Sequence, residues 1–310
     1  MKKVFIDGSA GTTGLRIFER LSARQDLELV KLPEELRKDA DARKQALNNC
    51  DVAFLCLPDA AAMESVSLIE NDQVTVLDTS TAHRTNPDWA YGFPELSQEA
   101  KEKILASKRI AVPGCHASGF ISLVAPLVAA GILSAESRLT CHSITGYSGG
   151  GKKMIAEYEA DDRDPLLDGP RQYGLTQQHK HLKEMKAITG LEQAPIFCPI
   201  VSDFYSGMVV TVPLFKEDLM PGKTVEDIKG VYAALYQGPM VTYREAMDEA
   251  GFLSGAGLSG KDRMEITVCG NEDRILLLSR YDNLGKGASG AAVQCLNLVL
   301  GVDPTTGLEL

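Results

Sequence analysis

From the N-terminus to about residue 115, short apolar runs alternate with stretches of helical period. The runs Lys3 to Ile6, Leu27 to Leu32, Val52 to Leu57, Val74 to Leu77 and Arg109 to Val112 lack polar alternation. That pattern predicts parallel strands covered on both faces. Gly14 to Ser22, Asp39 to Leu47, Ala60 to Ile69 and Gln98 to Ala106 fill the gaps with helical spacing, so this part reads as a doubly wound α/β domain. After residue 115 a helical pattern (Phe120, Ile121, Leu123, Val124, Leu127, Val128) leads into longer, more alternating strands at Leu139 to Thr145, Phe204 to Leu214, Met264 to Cys269 and Arg274 to Tyr281. They predict an α+β domain with a mixed, largely antiparallel sheet. A last helix, Ala288 to Leu300, is expected to return to the first domain. The expected domains are therefore residues 1–115 with 286–310, and residues 116–285.

Composition narrows the class. The chain has 310 residues, enough for two domains with a core each, and its only long apolar run, Phe120 to Leu133, is broken by Ser122, Pro126 and Gly131. No membrane partner is expected. The first residues run straight into a strand and leave no room for a signal peptide, so the expectation is a cytoplasmic protein. Seven cysteines at 50, 56, 115, 141, 198, 269 and 295 form no C-x-x-C pair, which suits neither a disulfide framework nor a zinc site. The expectation is reduced thiols and no metal. A net charge of -10 without a dense basic block opposes nucleic-acid binding.

Two loops in the first domain carry candidate chemistry. Gly8, Ser9, Ala10, Gly11, Thr12, Thr13 and Gly14 lie between the first strand and the first helix, where glycines let a backbone approach a pyrophosphate resting on the helix N-terminus. The spacing is G-x-x-G-x-x-G and not G-x-G-x-x-G, and a plain tight turn is the other reading. After the second strand no acidic residue stands ready for a ribose 2′-hydroxyl, and Lys31 is there instead, which favours NADP over NAD. Beyond the fourth strand, Ser80 is a candidate for the cofactor, and His83 and Arg84 for the substrate, at the carboxyl edge where ligands bind.

Arg109 to Gly119 is the stretch around which the rest is organised. A strand stops at Pro113-Gly114, and Cys115 opens the following helix, where unpaired N–H groups and the helix dipole favour thiolate. Small residues on both sides leave room for a substrate. A buried, inert cysteine is the alternative. Gly146 to Lys153 nearly spells a P-loop, but Lys153 stands where magnesium needs a hydroxyl, so NTPase activity is rejected. A nest of N–H groups, with Ser148 and Gly149 toward a substrate phosphate, is the better reading, or else close packing against the cofactor. His179 and His181 fall in an expected helix, Leu175 to Ile188, where residues two apart diverge by about 200°, so one at most is the acid/base. His116 and His142 have plain packing readings.

Together these motifs resemble one family. Gly8 to Gly14, Ser80 to Arg84, Gly92-Phe93-Pro94-Glu95, Pro113-Gly114-Cys115, Gly146 to Lys152, His179-Lys180-His181 with Glu184, and Asn283 to Gly287 look like N-acetyl-gamma-glutamyl-phosphate reductase of arginine biosynthesis, in its shorter form. The resemblance spans the whole chain. It implies an NADPH-dependent enzyme with a Rossmann-type domain and a mixed α/β domain carrying a dimer or tetramer interface. By position it implies Cys115 as nucleophile, His179 as acid/base, Gly11 to Gly14 as pyrophosphate loop and Asn283 as a nicotinamide contact, with His181 and Glu184 toward the substrate. The family usually has a proline between the histidines and the glutamate, where this chain has Lys183.

The residues suit that chemistry. A thiolate displaces phosphate from an acyl phosphate, the thioester accepts hydride, and the hemithioacetal collapses to a semialdehyde with help from an acid/base titrating near neutrality. A sister reductase of aspartyl or aminoadipyl phosphate, and a non-enzymatic dinucleotide sensor, remain as alternatives.

Overall fold

The computed structural model describes residues 1–9 and 11–310, the side chain of Thr12 excepted. The chain runs β1 (Lys2–Asp7), α1 (Thr12–Ser22), β2 (Leu27–Val30), α2 (Ala40–Asn48), β3 (Val52–Leu55), α3 (Asp59–Ser67), β4 (Thr75–Asp78), β5 (Ala90–Tyr91), α4 (Gln98–Ala106) and β6 (Arg109–Ala111). It continues with α5 (Cys115–Ala129), β7 (Thr140–Gly146), α6 (Gly151–Glu159), β8 (Arg171–Gln172), α7 (His181–Thr189), β9 (Ile196–Ser202) and β10 (Met208–Phe215). Then follow α8 (Val225–Leu235), β11 (Val241–Tyr243), β12 (Met264–Gly270), β13 (Arg274–Tyr281) and α9 (Gly290–Leu300). Two compact units emerge, Met1–Pro113 with Ala288–Leu308, and Gly114–Gly287 with Glu309–Leu310. The break between Pro113 and Gly114 comes ahead of the expected one after residue 115 and assigns Cys115 to the second unit.

In the first unit six strands pair in parallel in the order β2-β1-β3-β4-β6-β5. Alternate residues of each strand feed opposite faces. Val4, Ile6, Phe54, Leu77 and Ile110 pack with Ile17 and Leu21 of α1, Ile104 of α4 and Val293 and Leu296 of α9. Phe5, Ala53, Leu55, Val76 and Ala111 pack with Leu47 of α2, Ala62 of α3 and Trp89. Both faces are covered, which is why the strands read as unbroken apolar runs.

The second unit is a seven-stranded mixed sheet, β11-β12-β13-β10-β7-β9-β8, parallel at β11/β12 and β7/β9 and antiparallel elsewhere. Its inward residues meet α5. Pro126 lies inside α5 and removes the N–H that would bond the Ser122 carbonyl; the Tyr236 hydroxyl of the α8 C-terminus donates to that carbonyl at 2.7 Å. The outward face carries Ile144, Ile196, Phe215 and Leu276, all exposed.

Two expectations need correction. The expected strand over 204–214 begins at Met208, and a separate strand, β9, precedes it. Pro199 argues against a strand in sequence, yet β9 tolerates it, and its carbonyl accepts the Tyr173 N–H at 3.0 Å. The helix expected from Leu175 starts only at His181. Gln177 takes a positive φ of 54°, and its side-chain amide clamps Phe197 of β9, donating to the carbonyl at 2.7 Å and accepting the N–H at 2.9 Å. A residue tied to a strand in this way cannot continue a helix.

Candidate active site

Cys115 is the first residue of α5 and half-buried, with Gly114 as an extended N-cap. Helix geometry leaves the first N–H groups without carbonyl partners, and that positive end favours a thiolate. The turn is held from three sides. Glu184 of α7, 2% exposed, accepts the Gly114 N–H at 2.8 Å. The Tyr281 hydroxyl donates to the Cys115 carbonyl at 2.5 Å and accepts the Gly119 N–H at 3.0 Å, the two groups that a helix's first turn pairs with each other. A Cβ on Gly287 would stand 3.1 Å from that of Cys115, so the chain after β13 passes tightly against the residue that carries the thiol. Burial first, and the Cys115 charge second, raise the Tyr281 phenol well above its ordinary range.

Glu184 thus bonds the backbone of the turn that presents the thiol.

The histidines come together against expectation. Because His179 precedes α7 and His181 opens it, their rings meet edge to face at 4.8 Å and do not diverge. His179 Nδ1 accepts the His181 N–H at 3.2 Å. His116, next to the thiol in sequence, lies 5.8 Å from the His179 ring and 5.7 Å from the His181 ring, with Phe197 beneath both His116 and His179. His179 is half-buried, and burial first, then Lys180, lower its pKa, so it is neutral and able to accept a proton near pH 7. His181 is buried. Among the described residues no group of His, Cys, Asp or Glu is placed to hold a metal ion.

The Gly146–Lys153 loop is not an N–H nest over its first half. The N–H groups of Gly146, Tyr147 and Ser148 donate to the carbonyls of Gly207, Phe204 and Tyr205. Ser148 is buried, and its hydroxyl accepts from Asn283 Nδ2 at 3.0 Å, while Asn283 Oδ1 accepts the Gly207 N–H at 2.9 Å. Asn283 therefore ties this loop to the start of β10, with Gly149 exposed beside it.

In the first unit, Gly8 has φ of 86°, and a Cβ there would strike the Cys56 carbonyl oxygen at the end of β3. The turn therefore lies where β1 and β3 diverge, the position at which such sheets bind ligands. α1 has no acidic residue in its first turn and Gly11 caps it without a side chain, so the N–H groups of Thr12, Thr13 and Gly14 suit an anion such as a pyrophosphate. Ser9 belongs to the same turn; Ala10 lies outside the described residues. Lys31 stands with Nζ 4.0 Å over the Phe18 ring of α1. Ser80 and His83 both engage Asp78, at 2.7 Å and 2.6 Å, and His83 stacks on Trp89. Arg84 donates to the carbonyls of Val112 and Thr79. These three side chains brace the ends of β4 and β6.

Sequence reading missed Tyr281 and set His116 aside. Only the pairing of a histidine with the cysteine in one turn hinted at His116, while Tyr281 carries no local signal, since it is 166 residues away from Cys115.

Comparison with known proteins places these arrangements. The family described as semialdehyde dehydrogenase, NAD binding domain, matches residues 3–104, and semialdehyde dehydrogenase, dimerisation domain, matches residues 115–283. The chain is 44% identical to N-acetyl-gamma-glutamyl-phosphate reductase 2 of Nostoc sp. over 99% of both proteins. It is 45% identical to N-acetyl-gamma-glutamyl-phosphate reductase of Rhizobium meliloti over 96% of this chain and 98% of that one. Among solved structures, aspartate semialdehyde dehydrogenase II of Vibrio cholerae shares the fold with a TM-score of 0.70 and 16% identity, covering 97% of this chain and 98% of that one. The NADP complex of aspartate semialdehyde dehydrogenase from Candida albicans does so with a TM-score of 0.67 and 16% identity, covering 97% and 99%. No helix of the described residues is long and apolar enough to cross a membrane.

Proposed function

The chain belongs to the N-acetyl-gamma-glutamyl-phosphate reductase family of the semialdehyde dehydrogenases, and on that premise we propose that it reduces N-acetyl-gamma-glutamyl phosphate to N-acetylglutamate 5-semialdehyde and phosphate, a step of arginine biosynthesis. The observation that carries the reading is Cys115 at the first position of α5, with the ring of His179, whose pKa is lowered, 5.8 Å from the ring of the adjoining residue His116 in the same unit. The Cys115 thiolate attacks the acyl carbon, the bond to the phosphate oxygen breaks, and phosphate leaves. NADPH, when bound, supplies the hydride that takes the acyl group to the aldehyde level. Gly8 to Gly14 would hold its pyrophosphate. His179 takes the proton of the Cys115 thiol, delivers it to the substrate oxygen that hydride addition leaves negatively charged, and takes it back from that oxygen as the carbon–sulfur bond breaks and the thiolate is released. The His181 backbone N–H holds His179 Nδ1 while the His181 side chain serves the substrate, and Asn283 with Ser148 and Gly149 shapes the neighbouring loop.

The second unit is the catalytic and dimerisation domain in this reading. Its uncovered sheet face, with Ile144 and Ile196 40% and 62% exposed, would be covered by a second copy in a dimer or tetramer.

The test runs the reaction backward: phosphate-dependent oxidation of N-acetylglutamate semialdehyde, followed by NADPH absorbance. Activity with NADP and this aldehyde supports the reading. Preference for aspartate semialdehyde in the same assay would reassign the substrate, and no turnover with any semialdehyde would leave a dinucleotide-binding protein.

A further inference from the structure

Three neighbouring strands of the second sheet, β9, β7 and β10, carry no Asp, Glu, Lys or Arg at any position. On their outward face Ile196 stands beside Thr140, Cys198 beside His142 and Ile200 beside Ile144. Toward β10, His142 stands beside Thr211 and Ile144 beside Val209. Thr211 and Pro213 continue the face to Leu278 and Leu276 of β13. His142 is exposed at the middle strand of the three, and among the described residues its side chain makes no hydrogen bond or ion pair. The groups around it are Thr140 and Ile144 on its own strand, Cys198 on β9 and Thr211 on β10, none of them a carboxylate. On β13, Arg280 is already held by Glu249 and by Glu265 at 3.0 Å, and Arg274 stands at the far end beside Phe215.

Charge argues for a second copy of this chain as the occupant of the face. In a two-fold contact a patch meets itself, so every charge on it would be matched by its own sign, and a patch without charges escapes that repulsion. Residues 115–283 match a dimerisation domain. The same symmetry doubles whatever His142 carries. A neutral imidazole enters such a contact at little cost, whereas a protonated one brings an unpaired positive charge from each copy into an apolar contact with no carboxylate on these strands to meet it. Histidine is the side chain whose charge ordinarily changes between about pH 5 and pH 8.

We propose that His142 makes assembly of this protein pH-dependent: two sheet faces close while it is neutral and separate when it is protonated. The inference rests on the reading of this face as the contact between copies.

The subunit dissociation constant, read by diluting donor- and acceptor-labelled protein at pH 7.5 and pH 5.5, tests it. Each copy must shed a proton to associate. For a side chain with histidine's ordinary pKa of about 6.5, the two copies together weaken association about 100-fold over that range. His142→Thr should hold one affinity at both pH values, and His142→Lys should associate weakly at both. A wild-type constant that does not move with pH overturns the proposal, as does the same acid loss in His142→Thr. Ile144→Asp separates this from the reading beneath it. If that variant is monomeric while wild type ignores pH, the pH response alone falls; if it assembles as wild type does, the face is misassigned and both fall.

Discussion

Glu184 accepts the Gly114 N–H at 2.8 Å across 70 residues, and so joins the α7 N-terminus to the turn that presents Cys115. Removing a buried acceptor leaves the N–H with nothing to bond. Glu184→Ala should therefore cost about 1–3 kcal/mol in urea unfolding. Glu184→Gln, which keeps an oxygen acceptor, should cost less and keep more activity. Equal losses in the two variants would show that the carboxylate acts by some route other than this bond.

Cys115 should be the first of the seven cysteines alkylated by iodoacetamide near pH 7. Burial holds Cys50 and Cys56 up to about 12 and raises Cys141 further, so these react slowly. Cys115→Ser should abolish turnover while NADPH still binds, since no serine-activating triad accompanies it. Peptide mapping of the labelled protein and cofactor titration of the variant read the two halves.

His179→Asn should lower kcat by about 10²- to 10⁴-fold, the usual contribution of a positioned acid/base, while His181→Asn should act more through KM. Because Lys180 is the second cause lowering His179, Lys180→Ala should move the acid limb of the kcat/KM profile to higher pH. A limb that stays in place would take the proton transfer away from His179.

His116 also predicts a stability signature. Its pKa falls from 6.5 to about 3 on folding. The unfolded chain binds a proton that the folded protein refuses, so stability drawn from this residue is complete above pH 6.5 and is lost as pH falls from 6.5 toward 3. Urea unfolding at pH 7 and pH 5 should show a smaller acid loss for His116→Gln than for wild type. The same loss in both proteins would place the acid sensitivity elsewhere.

The sequence by itself determined the alternating strands and helices of the first unit, the glycine turn after β1 and the position of Cys115 at a strand-to-helix turn. Those features rest on local causes: hydrophobic period, glycine spacing and the Pro113-Gly114 break act within a few residues. Tertiary structure alone decided how the site is built around the thiol. Gln177 borrows a hydrogen-bonding strand edge from Phe197, which stops the helix and brings His179 against His181. Glu184, Tyr281 and Gly287 reach Cys115 from far along the chain, and the backbone groups they satisfy or crowd have no signature of their own in sequence. The Gly146–Ser148 N–H groups looked free for a phosphate because the carbonyls that take them, on 204–207, become neighbours only once β7 and β10 pair. Periodicity reports which residues are buried; which buried groups bond one another depends on strand pairing and helix placement over long separations, and that was set only by the folded chain.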